Sequence, residues 1–164
     1  MTLPEQERER FCQVLHHSRT SLYRLAFSII RNSSDAQEAV AEAVCRAYER
    51  YPQLREKEKL PRWLLKITAN EARRLCQRRG RTVSLDDLPT EPAIPGRETG
   101  DDILWQAVQT LPRDQREAVV LFYYEDLPTE EIARIVGTSP GAVRVRLSRA
   151  REKLRSILKE GDYG

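Results

Sequence analysis

Cysteine is scarce in this sequence, and the three that occur cannot act together. Cys12, Cys45 and Cys76 are far apart, none belongs to a CxxC pair, and His16 and His17 have no cysteine near them. That spacing excludes a zinc knuckle and a disulfide framework. Buried, reduced thiols are expected instead, and no metal or cofactor. Long apolar runs are also missing. Glu5, Glu7, Arg8, Glu9 and Arg10 break up the N-terminal stretch, and no segment approaches the roughly 20 apolar residues of a membrane span. A cytoplasmic protein without membrane insertion is expected. Period-two alternation is absent throughout, so no strand is predicted. Nor is there a nucleophile elbow, a phosphate loop or a histidine-centred constellation. Glu130 and Glu131 are paired carboxylates, but in the first turn of a helix they serve as partners of its dipole. An enzyme is not expected.

What remains is a charged helical chain. Its 164 residues suffice for one ordinary domain or two small ones. Charged residues make up 32% and hydrophobic residues 40%, so a core is possible beneath a polar surface. The net charge of +3 hides a segregated pattern. Residues 66–81 set Lys66, Arg73, Arg74, Arg78, Arg79 and Arg81 against Glu71 alone. Residues 83–102 carry six acids against Arg97, and residues 139–159 carry seven basic residues against Glu152. Two basic blocks flanking an acidic one suggest two surfaces for a polyanion and a connector that avoids it. A merely solvated basic face would account for one such block more easily than for two.

Periodicity predicts a helix over residues 5–31, with Phe11, Val14, Leu15, Leu22, Leu25, Ile29 and Ile30 on its apolar side. Asn32-Ser33-Ser34-Asp35 breaks it, and Ser34 or Asp35 can cap the next helix, which carries Ala39, Val40, Ala43, Val44, Ala47 and Tyr48 as far as about Arg50. Pro61 suits the first turn of a third helix, with Trp63, Leu64, Ile67 and Leu75 on one face and Gly80 as its stop. Residues 82–100 hold three prolines, two glycines and no periodicity, the marks of a linker. Beyond it, Asp101 to Thr110 is a short helix. Leu111-Pro112 opens another, with Ala118, Val119, Leu121 and Phe122 turned inward. Leu127-Pro128-Thr129-Glu130-Glu131 starts the next, with Ile132, Ala133, Ile135 and Val136 as its apolar side.

Gly137 ends that helix, and Ser139-Pro140 starts the last one as N-cap and first-turn proline. Two helices joined by a short glycine-containing turn form a helix-turn-helix. On the last helix Val143, Leu147, Ala150 and Leu154 make a stripe to be buried. Arg144, Val145, Ser148 and Arg149 make another, near the N-terminal end that reaches base edges in this motif. Arginine pairs bidentately with guanine, serine bonds several bases, and valine meets a thymine methyl. Arg146, Arg151 and Lys153 lie to the side, where phosphates run. A basic helix docking on an acidic protein is the alternative. The paired helix, Gly137 and the Ser-Pro start favour DNA.

The stretch LPRDQREAVVLFYYEDLPTEEIARIVGTSPGAVRVRLSRAREKL resembles region 4 of extracytoplasmic-function sigma factors, with its EEIA, G-x-S, G-x-V and RLxRAR elements in order. LYRLAFSIIRNSSDAQEAVAEAVCRAYERY is similar to regions 2.1–2.2. PRWLLKITANEARRLCQRRGR is similar to regions 2.3–2.4, with a Trp-Leu pair before an Ile-x-x-Asn and an arginine run. The resemblance covers residues 20–81 and 102–158, without the middle domain of housekeeping sigma factors.

It implies an all-α fold of two small helical domains joined by a flexible linker: a region 2 bundle over residues 1–81, the linker over 82–100, and a region 4 helix-turn-helix over 101–164. It further implies that the helix from Asp35 to Tyr48 docks on the clamp coiled coil of the largest RNA polymerase subunit, with Asp35, Gln37, Glu38, Glu42 and Arg46 as polar contacts, and that the flap is a second contact. The loop between Tyr51 and Pro61 helps capture a base flipped from the −10 non-template strand. Trp63 and Asn70 contribute to reading there, and Arg73, Arg74, Arg78 and Arg79 hold the melted strand by its phosphates. Arg144, Val145, Ser148 and Arg149, flanked by Arg146 and Arg151, read the −35 element. The acidic linker follows the RNA channel, and an anti-sigma factor is an expected partner. Departures from the family pattern fall at Ala39, Ala41 and Val44, where larger side chains are usual, at Val145, and at Pro128, which replaces a serine cap. The rival reading is a transcription regulator binding duplex DNA without polymerase. The region-2-like half, with Trp63 and Asn70, speaks against it. An adaptor that binds only protein has neither zinc-ligand spacing nor a membrane span to support it.

Overall fold

The computed structural model describes the backbone of residues 3–80 and 99–160 and the side chains of residues 3–80 and 103–159. All regular structure among these residues is helical. The chain divides into two compact units, residues 1–89 and 90–164. The expected linker over residues 82–100 lies, apart from its last two residues, outside the described residues.

Three helices make the first unit: α1 (Glu5–Ile30), α2 (Ser33–Arg50) and α3 (Leu60–Arg78). Arg31 ends α1 in the left-handed conformation (φ 59°), its N–H reaching the Phe27 carbonyl. The N-cap of α2 is Asn32, whose side chain accepts from the Asp35 N–H at 2.9 Å, rather than Ser34 or Asp35. Four polar residues in a row could each cap, and the sharp turn at Arg31 places Asn32 in the extended conformation a cap requires. Along α2, Ala36, Ala39, Ala43 and Ala47 form a fully buried seam of small residues. Helices separated only by alanine can approach closely, and α3 packs along both α1 and α2. Leu22, Leu25 and Ile29 of α1 and Leu60, Leu64 and Leu75 of α3 are all buried in the core of this unit. At the far end Phe11 packs edge-on against Tyr48 and Tyr51, each at 5.4 Å.

Only one thiol is buried. Cys76 is enclosed, whereas Cys12 and Cys45 are exposed. Helical phase decides this: residue 45 falls between Ala43 and Ala47 on the opposite side of the seam, and Cys12 follows the buried Phe11 by one position.

The second unit comprises α4 (Thr99–Gln109), α5 (Arg113–Val119) continuing into a π-helical turn (Val120–Tyr124), α6 (Thr129–Val136) and α7 (Pro140–Glu160). The first of these begins two residues before the expected Asp101. Arg116 is 1% exposed and donates to the Leu111 carbonyl at 2.8 Å, tying α5 to the turn before it. Trp105 meets Tyr124 edge-on at 5.5 Å. Phe122, expected inside, is half-buried, because the π turn shifts the register after Leu121.

Candidate nucleic-acid interface

The turn between α6 and α7 is built as its sequence requires. Gly137 takes the left-handed conformation (φ 78°) that L side chains resist, and its N–H bonds to the Ala133 carbonyl at 2.9 Å. The Ser139 hydroxyl accepts from the Ala142 N–H at 3.1 Å, capping α7 with Pro140 in the first turn. On α7, Val143, Leu147 and Ala150 are buried and Leu154 half-buried, so the inner stripe packs against α5 and α6. The outer stripe of Arg144, Val145, Ser148 and Arg149 is exposed. Val145, 48% exposed, is a large apolar side chain facing water. Among the described residues Arg144 and Arg149 form no ion pair or hydrogen bond, so their guanidinium donors are available. The flanking arginines are held from within. Arg146 is half-buried, 3.8 Å from Asp114 of α5. Arg151 donates from Nε to the Tyr123 hydroxyl and lies 5.7 Å from the Phe122 and Tyr123 ring centres.

The first unit is arranged differently. Trp63, Lys66, Asn70 and Arg74 follow one another along one stripe of α3, with Trp63 half-buried and the other three exposed. The basic run, however, meets acids on α2. Arg79 pairs with Asp35 and chelates Glu38 at 2.9 and 3.1 Å. Arg78 is 3.9 Å from Glu38. Glu71, only 6% exposed, is shared between Arg74 and Arg46, each at 3.1 Å, and Arg46 also reaches Glu42 at 3.6 Å. Residues expected on two separate surfaces, one for polymerase and one for DNA, therefore form a single interlocked ladder between α2 and α3. Asp35 has a buried side chain that pins Arg79, so its position is that of a structural anchor rather than of an open contact. Gln37, Glu38 and Glu42 are exposed, Arg46 half-buried. Arg73 is half-buried.

The α2 acids were not legible as partners of the run, because 40 to 44 positions separate Arg78 and Arg79 from Asp35 and Glu38. A lone acid inside an arginine run was the available signal. Between α2 and α3 the loop runs through two short turns, Tyr51–Gln53 and Lys57–Lys59. Lys57 bonds to the Tyr51 carbonyl at 2.6 Å and stands 4.1 Å over its ring, which fixes this loop against the bundle.

Comparison with known proteins adds the following. The sequence matches the family model for sigma-70 region 2 over residues 14–82 and that for sigma-70, region 4 over residues 101–154. It is 32% identical over 142 residues to the RNA polymerase sigma factor SigV of Bacillus subtilis, a match spanning 85% of this chain and 86% of that protein. With the ECF RNA polymerase sigma factor EcfG of Rhodopseudomonas palustris it shares 32% identity over 143 residues, 84% of this chain and 79% of that protein. Among solved structures, the sigma factor RpoE, in complex with the anti-sigma factor NepR from Bartonella quintana, matches with a TM-score of 0.76 and 26% identity, covering 92% of this chain and 98% of that one.

Proposed function

The chain belongs to the extracytoplasmic-function group of sigma-70 RNA polymerase sigma factors, and from that premise we propose how its residues divide the work. As a sigma factor it directs core polymerase to promoters and initiates transcription there. Residues 1–81 act as the −10-binding and polymerase-binding half, residues 101–164 as the −35 reader, and residues 82–100 as the connector. The chain carries out no chemistry of its own and works in the cytoplasm on the nucleoid. No described helix is long and apolar enough to cross a membrane.

On α7, Arg144, Val145, Ser148 and Arg149 enter the major groove, and Arg146 and Arg151 steady the helix beside the phosphates. On α3, Asn70 and Trp63 read the melted −10 strand, while Arg73, Arg74, Arg78 and Arg79 carry its phosphates. Gln37, Glu38, Glu42 and Arg46 of α2 meet the clamp, with Asp35 holding that end of α2 to α3. The flap is the contact of the second half. An anti-sigma protein is a fitting inhibitor, given the complex in which RpoE was solved.

The observation that carries this reading is the open stripe on α7: two guanidiniums without partners among the described residues, beside an exposed valine, on the second helix of a correctly capped helix-turn-helix. Run-off transcription with purified core polymerase, with and without this protein, tests it. Promoter-specific transcripts that depend on the added chain are expected. Tight, sequence-specific duplex binding by the chain alone, with no polymerase-dependent transcript, would overturn it in favour of a plain regulator.

A further inference from the structure

The ladder between α2 and α3 is electrically closed. Asp35, Glu38, Glu42 and Glu71 face Arg46, Arg74, Arg78 and Arg79, so three arginines of the basic run, Arg74, Arg78 and Arg79, are matched by carboxylates in the folded chain. The rungs differ in strength. The Asp35 side chain is 3% exposed and that of Glu71 is 6% exposed. Removing the partner of a buried carboxylate leaves an uncompensated charge, which keeps those two rungs shut. Glu38 and Arg78 are 49% and 66% exposed and 3.9 Å apart, a pair that solvent and salt weaken readily. Among the described residues Glu38 is thus the acid that touches both Arg78 and Arg79 and can still be drawn away.

We propose that Glu38 is a built-in competitor of the nucleic-acid backbone. It occupies Arg78 and Arg79 in the free chain and releases them when a partner engages α2. The partner is the polymerase clamp, so the proposal rests on the reading of α2 given above. Core binding and strand binding then share one carboxylate, and each strengthens the other by the same factor. The phosphates of a single strand replace the carboxylate at the guanidiniums, while Arg79 stays tethered by Asp35 and is already aimed at the strand.

The test is binding of a fluorescein-labelled oligothymidylate, which carries phosphates and no promoter sequence, to the full-length chain by anisotropy across a salt series. Glu38→Gln should bind about two- to fivefold more tightly than wild type at low salt, as expected for loss of an exposed ion pair. Its salt dependence should steepen by about 0.7 for each phosphate newly engaged. Glu49→Gln makes the same change in net charge at an exposed α2 position outside the ladder and should gain less. In the double variant Glu38→Gln/Arg78→Gln the gain should shrink. Equal gains for Glu38→Gln and Glu49→Gln, or no gain in either, would overturn the competitor role and leave the family assignment untouched. With core polymerase bound, the wild-type and Glu38→Gln affinities should converge; a persisting difference counts against release by the clamp. A chain that transcribes with core yet binds it undiminished after Glu38→Gln and Glu42→Gln together would overturn the reading of α2 instead, with the free-chain comparison still standing.

Discussion

The two units handle their arginines in opposite ways. In the second, Arg144 and Arg149, the proposed readers, stand open on α7, while Arg146 and Arg151 of the same helix are tied down. In the first, Arg74, Arg78 and Arg79 all meet acids, most of them from another helix. The difference has a physical origin. A duplex groove presents its phosphates and base edges already in place, so an open stripe can dock as it is. A melted strand must first be unstacked, at a cost of a few kcal/mol per extruded base, and a surface that would attract any polyanion gains nothing in selectivity. Arginines covered until needed suit that second task.

The largest effect should come from the packing beneath the open stripe. Leu147 is 2% exposed on the inner side of α7. Leu147→Ala should destabilise the second unit by about 2–5 kcal/mol and leave the first folded. Thermal unfolding followed by circular dichroism should then show a fraction of the helix signal lost early, with the remainder melting as in the wild type. A single transition shifted as a whole would mean that the two units do not unfold independently.

Next in size is the pin of the covered ladder. Asp35→Asn keeps the shape and removes the charge, leaving Arg79 without its buried partner. About 1–3 kcal/mol of stability should be lost from the first unit, read as a lower urea midpoint. Glu38→Gln, at an exposed rung, should shift that midpoint by much less. Equal shifts would erase the distinction between buried and exposed rungs.

Much of this was legible from sequence, and the reason is local. Ser139, Pro140 and Gly137 act within a few residues of themselves, so cap, first turn and stop could be read off directly. The two stripes of α7 follow from helical spacing alone. The ladder was not legible, since Arg79 meets Asp35 and Glu38 only after α1, α2 and α3 have packed. The same holds for Arg116, a buried cation in a stretch whose composition reads as surface. Residue type alone predicts Cys12 and Cys45 inside, and their helical phase puts them outside. At Asn32 the signal was present but shared among four capable residues.

Single-residue effects on reading come third. If the open stripe reads bases, Arg144→Ala or Arg149→Ala should cost about 1–3 kcal/mol and relax preference at one −35 position. A −35 duplex library probed with holoenzyme carrying each variant checks this. No change of preference in either variant would put the reading stripe on another face of α7.

The smallest effect separates holding a helix from reading with it. Arg151 is exposed, yet its Nε donates to the Tyr123 hydroxyl and its guanidinium lies against the Phe122 and Tyr123 rings. Only one of its donors is used in that bond, so the remaining N–H groups can still meet a phosphate, and the aromatic pair fixes where they point. Arg151→Ala should therefore weaken duplex binding evenly on every sequence and flatten the salt dependence by about 0.9. Tyr123→Phe keeps the ring and removes the hydroxyl. It should leave the salt slope unchanged, because the charge is still present, and lower affinity by less than Arg151→Ala does. Should Tyr123→Phe flatten the slope as much as Arg151→Ala, the hydroxyl would be doing more than aiming the side chain. Should Arg151→Ala alter the preference at a single base, Arg151 would belong with Arg144 and Arg149 among the readers, and the second unit would be more open than its ion pairs suggest.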